Sequence, residues 1–178
     1  RQKKIMTAMK KTTIETLTRE DALHLIGKEW MLVTAGTPEN FNTMTASWGG
    51  IGWLWNKPVA FVFVRPERHT FGFVEREERF TLSFLGEEHR DILNFCGTKS
   101  GRDCDKIAAT GLRPVTLAPD AVGFEQARLT LQCRKLFRSP MKPEEFLDRA
   151  CLERWYNDRP GGSMHVMYVA EIEAVFEQ

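Results

Sequence analysis

The segment Leu129-Thr130-Leu131-Gln132-Cys133-Arg134 alternates apolar and polar side chains with a period of two, and comparable short runs recur along the chain. A strand sends successive side chains to opposite faces, so this pattern fits a half-buried antiparallel sheet. Arg79 to Leu85 sets Phe80, Leu82 and Phe84 against Thr81, Ser83 and Leu85, and His165 to Phe176 keeps Val166, Tyr168, Ala170 and Ile172 on one side. Trp30 to Ala35 and Asn42 to Trp48 flank the turn residues Gly36-Thr37-Pro38-Glu39-Asn40, which predicts a hairpin. Pro58 to Val64 is nearly all apolar and reads as a strand buried on both faces, while Val115 to Leu117 and Gly123 to Ala127 add two more.

Short helices interrupt these strands. The expected ones run from Arg19 to Ile26 behind Thr18, from Phe71 to Val74 behind Thr70, from Glu87 to Phe95, from Lys106 to Thr110 with Asp103 as cap, and from Pro143 to Trp155. The last ends at the turn Asn157-Asp158-Arg159-Pro160-Gly161-Gly162. About seven strands joined by short links argue for a mainly β, closed or partly closed antiparallel barrel with peripheral short helices. Neither a GxGxxG loop in regular βαβ alternation nor a GxSxG elbow is present, which excludes the Rossmann and serine-hydrolase readings.

With 178 residues the chain suits one domain, spanning 1–178 with a basic arm over residues 1–15. A formal net charge of +1 supplies no pull towards nucleic acid or an anionic membrane. Since no apolar run approaches bilayer length and no apolar signal core follows the basic start, a cytoplasmic protein is expected. Cys96, Cys104, Cys133 and Cys151 are spread without CxxC or Cys/His spacing, which argues against a metal site. Cys96, beside a glycine and a polar loop, is the thiol left open for a role.

Thr43, Thr45 and Ser47 share one face of the 42–48 strand, opposite Met44, Ala46 and Trp48. Short neutral hydroxyls suit an anionic or polyhydroxylated ligand held near the backbone, and the following Gly49-Gly50-Ile51-Gly52 permits close approach. An edge strand with hydroxyls facing water is the other reading. Arg65, Arg68 and the helix start at Thr70 would gather where an anion is attracted, or form an ordinary surface turn with solvated charges. Trp48, Trp53, Leu54 and Trp55 form an apolar group that reads either as a lid or dimer seam or as filling for a barrel end.

Several of these stretches, in order along the chain, resemble the flavin reductase-like family, most closely its flavoredoxin branch. Asn42-Thr43-Met44-Thr45-Ala46-Ser47-Trp48 resembles the family's first flavin-contacting strand, and Arg65-Pro66-Glu67-Arg68-His69-Thr70 the segment that reaches the FMN phosphate. Ser83-Phe84 resembles the strand beneath the isoalloxazine ring, Ser100-Gly101-Arg102-Asp103 with Asp105-Lys106 a loop whose lysine approaches the phosphate, and His165 a histidine near the flavin. The resemblance implies an FMN-binding split β-barrel of Greek-key type, a homodimer, and bound FMN reduced by NAD(P)H. It implies cofactor contacts from Thr43, Thr45, Ala46, Ser47, Trp48, Arg68, Thr70, Ser83, Phe84, Ser100, Lys106 and His165, with no obligatory catalytic side chain beyond a possible proton-donor role for His165. An NAD(P)H-dependent flavin or ferric-complex reductase is the first expectation. An FMN electron carrier serving a protein acceptor and a flavin-free split-barrel binding protein are the alternatives.

Overall fold

The computed structural model of the chain describes residues 9–156 and 163–178, so the turn read at 157–162 and most of the basic arm lie outside the described residues. Ten strands are described: β1 Lys10–Thr12, β2 Met31–Thr37, β3 Asn40–Ala46, β4 Gly49–Leu54, β5 Lys57–Val64, β6 Arg79–Phe84, β7 Pro114–Ala118, β8 Ala121–Phe124, β9 Leu129–Pro140 and β10 Val166–Glu177. The main sheet runs in the order β3-β2-β6-β9-β10-β5-β4, with β1 added to β10, and β7 and β8 form a separate hairpin. Every pairing is antiparallel, as the alternation requires. The architecture is the split barrel.

The long strand β10 makes this curvature possible. Its first half pairs with β5, from Val166 opposite Val64 to Glu171 opposite Val59, and its last residues pair with β1, as Glu177 opposite Lys10. Register shifts against β9 after Val169 and after Ile172 bend it between these partners, because a bulge increases local twist. Tyr168, Phe80, Phe84, Met31 and Leu82 fill the interior, and a second core forms where α3 (Arg90–Thr98) lays Leu93 and Cys96 against Leu32 and Phe124. The remaining helices are α1 (Ala22–His24), α2 (His69–Arg76), α4 (Lys106–Thr110) and α5 (Arg149–Tyr156).

The structure corrects several local expectations. β3 ends at Ala46, so Ser47 and Trp48 lie in the link to β4, a strand the glycine run concealed. Gly50 and Gly52 pair there because the Phe61 ring covers them, which supplies packing their own side chains lack. Asp21 rather than Thr18 caps α1, and Asp105 rather than Asp103 caps α4, its carboxylate accepting from the Ile107 and Ala108 N–H groups. Thr70 caps nothing: α2 starts at His69 with no side-chain cap, and the Thr70 hydroxyl accepts from Asn42 Nδ2 at 2.8 Å. The helix expected from Pro143 splits into a 3₁₀ turn, Pro143–Glu145, and α5, because Asp148 accepts from the Ala150 and Cys151 N–H groups and restarts it. Nor is β5 sealed on both faces, since Phe61 and Phe63 are half-buried.

Candidate functional site

Sequence-distant segments converge beside the end of β3. The link after Ala46 brings Ser47 and Trp48, the turn before α2 brings Arg65, Glu67 and Arg68, and the start of β10 brings His165, around a cavity of about 330 Å³. Glu67 and Arg68 also line the adjoining cavity of about 220 Å³, which continues along Gly97, Lys99, Ser100, Arg102 and Lys106. Together they fall in the size range of small-molecule sites, about 300–1,000 Å³. The lining carries five cations, Arg65, Arg68, Lys99, Arg102 and Lys106, against the single carboxylate of Glu67. Such a cleft favours an anion at the α3–α4 end.

Lys106 is the best-anchored of these cations. Asp105 fixes the start of α4, and the ammonium of Lys106, almost fully buried, donates to the carbonyls of Thr43 at 2.7 Å and Cys96 at 2.9 Å. Burial holds its pKa below the ordinary lysine value, with Arg68 adding to the shift. These two bonds use two of the three ammonium donors. Cys96 beside it is buried, and its thiol is pushed up to about 11 by that burial, so it stays protonated and unreactive.

The other end of the cleft is aromatic. His165 is 8% exposed and sits 5.5 Å, ring to ring, from Trp48 and from Tyr156, with Phe63 edge-on at 6.4 Å. Its Nδ1 and the Tyr156 hydroxyl lie 2.6 Å apart in a hydrogen bond. Burial first, then the Arg65 guanidinium, lower the imidazole pKa to about 4, so the ring is neutral at pH 7. Arg65 donates to the carbonyls of Trp155 at 2.7 Å and Ser163 at 3.1 Å and stacks over the Tyr156 ring at 4.7 Å, fastening α5 to the cleft wall.

The expected site residues divide accordingly. Thr45, Ala46, Ser47, Trp48, Arg68, Ser100, Lys106 and His165 line the cleft, although the Thr45 hydroxyl donates to the Leu93 carbonyl. Thr43 is buried, its hydroxyl bonded to that of Thr34 at 2.8 Å, and Thr70 is buried against Asn42. The expected three-hydroxyl face is thus largely spent on holding β3 in place. Ser83 and Phe84 are correctly read as strand residues but lie in the interior of the sheet, where Ser83 Oγ has no hydrogen-bond partner among the described residues, and neither lines the cleft. Sequence reasoning missed Tyr156 because only folding brings α5 beside the Arg65 turn, and it gave Glu67 no role although Glu67 stands within the 65–70 segment itself. The indoles do not fill a barrel end: Trp53 is 66% exposed, and Trp55 stands out beside Phe137, 6.2 Å between ring centroids.

Residues 23–178 match the family described as the flavin reductase like domain. The chain belongs to that family. Solved structures with the flavin reductase fold are similar over most of its length. They include an FMN-binding protein of Thermus thermophilus with bound 1-cyclohex-2-enone, at TM-score 0.63 and 23% identity, covering 83% of this chain and 69% of that one. Flavoredoxin of Desulfovibrio vulgaris (Miyazaki F) gives TM-score 0.63 and 20% identity over 84% of this chain and 69% of its own. An FMN-binding domain of a flavin reductases-like enzyme from Shewanella baltica gives TM-score 0.66 and 14% identity over 97% and 78%. No curated protein matches this flavin reductase-like sequence. Among its described residues no helix is long and apolar enough to cross a membrane, and no group of three or more His, Cys, Asp or Glu could hold a metal ion.

Proposed function

We propose that this chain binds FMN in the cleft and works as an NAD(P)H-dependent flavin reductase. The observation that carries the reading is the polarity of the cleft: Arg68, Lys99, Arg102, Lys106 and the Ser100 hydroxyl at one end, and at the other an aromatic wall around a neutral histidine, with Arg65 tied into it. That donor set fits a molecule joining a phosphate to a flat ring system. Arg68, Ser100 and Lys106 would meet the phosphate, Ser47 and the main chain near Ala46 the ribityl chain and ring edge, and Trp48 and His165 the ring. FMN supplies the two-electron redox chemistry when bound. The chain's own contribution is to orient the ring, exclude water beside Trp48 and Phe63, and offer polar contacts that need no change of protonation near pH 7.

The proposal includes one FMN-binding unit, a cytoplasmic setting consistent with free thiols at all four cysteines, and a homodimer seam at the exposed Trp53, Trp55 and Phe137. The visible spectrum of purified protein, before and after anaerobic NADH or NADPH, tests the reading. A flavin band that bleaches with nicotinamide is the expected result. Bleaching only with a protein donor would make the chain an electron carrier, and a colourless protein that ignores added FMN would leave a flavin-free binding protein.

A further inference from the structure

The Nδ1 of His165 is engaged by Tyr156, whereas its Nε2 makes no hydrogen bond among the described residues. The ring is nine-tenths buried and lines the cleft beside Ser47 and Trp48. The two ring nitrogens point to nearly opposite sides of an imidazole, so a ring that turns Nδ1 towards α5 turns Nε2 away from it. We propose that Tyr156 is a positioning residue of this cleft: its hydroxyl donates to His165 Nδ1, which places the proton on Nε2 and presents a neutral N–H donor to an acceptor atom of the bound molecule. Which atom accepts rests on the flavin reading; the tautomer does not.

Three features support the direction of this bond. A phenol is a stronger donor than a neutral imidazole N–H and a weaker acceptor than an imidazole nitrogen, so O–H to N is the favoured arrangement. Burial raises the Tyr156 pKa, which keeps its proton, and lowers that of His165, which keeps Nδ1 an acceptor. Both rings are also held in place, Tyr156 by the Arg65 guanidinium on its face and by Phe146 edge-on at 5.6 Å, His165 by Trp48 and Phe63. The arrangement matches the way a second partner fixes the tautomer of a functional histidine elsewhere.

Nitrogen-15 NMR of histidine-labelled full-length protein at pH 7 reads the tautomer directly. We expect His165 to show an unprotonated Nδ1 and a protonated Nε2, and Tyr156→Phe to move both shifts towards a tautomer mixture while the other histidines keep theirs. A proton on Nδ1, or an unchanged pattern in Tyr156→Phe, overturns the proposal. FMN titration gives a second readout, since a Gln amide sits near the Nε2 position and an Asn amide near Nδ1. His165→Gln should retain affinity that His165→Asn loses by about three- to tenfold, the worth of one neutral hydrogen bond. Equal losses overturn the donor role. Failure of all forms to bind FMN would remove the flavin reading and, with it, the identity of the acceptor, while the NMR result still decides the tautomer.

Discussion

His165 shows how burial turns an ionisable side chain into a fixed neutral one. Its folded pKa of about 4 lies below the ordinary value of 6.5, so between those two pH values the unfolded chain binds a proton that the folded chain refuses. Stability therefore falls as pH drops through this window, by about 3 kcal/mol in all, and is unaffected by this group above it. Urea unfolding at pH 7 and pH 4.5 should show that loss, and His165→Gln should show a smaller one; equal pH dependence in the two proteins would contradict the assignment. Gly101 is constrained differently. A Cβ there would collide with Asn42 Oδ1 and meet His69 Cδ2 at 3.0 Å, and Asn42 is buried and bonded to Thr70. Gly101→Ala should cost about 1–3 kcal/mol of stability as Asn42 is displaced. Denaturant midpoints measure it, and an unchanged midpoint would mean that the 101–105 loop shifts freely.

Among the elements, one guanidinium ties the residues on either side of α1, Glu20 and Glu29, to the start of β9. Arg128 donates to both oxygens of Glu20, at 2.8 and 3.1 Å, and to both oxygens of Glu29, at 2.9 and 2.7 Å. These bonds hold Glu20 below the ordinary carboxylate range and raise Arg128 above its own. Glu29 is the costly partner, because it is buried and would be left as an uncompensated charge. Arg128→Met should destabilise the protein by about 2 kcal/mol, discounted from the buried-pair value because the guanidinium is partly exposed. Adding Glu29→Gln should then recover part of the loss, a sign that a double-mutant cycle in urea detects. If the second change deepens the loss, the bidentate geometry is not what stabilises this corner. Neither carboxylate announces the pairing in sequence, since Glu20 and Glu29 lie far along the chain from Arg128 and nothing local ties them to it.

For the whole molecule, the β4–β5 corner leaves Trp53 and Trp55 in solvent, an arrangement that a homodimer seam would relieve. Sedimentation velocity of the Trp53→Ser, Trp55→Ser double variant should show a shift from dimer to monomer at micromolar concentration; a wild-type monomer would remove the seam. The strand pattern of this barrel was legible because period-two alternation is local to the chain: Leu129 to Arg134 sets Gln132 and Arg134 on a less buried face, whereas in Phe80 to Phe84 the alternation is one of polarity only, since Thr81 and Ser83 are fully buried as well. β4 escaped that reading because Gly50 and Gly52 have no side chains to alternate, and the Phe61 ring that covers them belongs to another strand. That Ser47, Trp48, Arg68, Ser100, Lys106 and His165 come to one cleft was an expectation of the family resemblance rather than of residue type alone, and folding does bring them together. Their division of labour could not be read beforehand: whether a hydroxyl faces a ligand or a neighbouring carbonyl depends on what folding sets against it. Thr43 is bonded to Thr34, Thr70 accepts from Asn42, and Tyr156 comes within hydrogen-bond reach of His165. Amino-acid order determined the strands, because alternation follows from each residue's own polarity and spacing. Tertiary structure decided which polar groups remain available to a ligand, because hydrogen-bond partners are shared out only when distant segments meet.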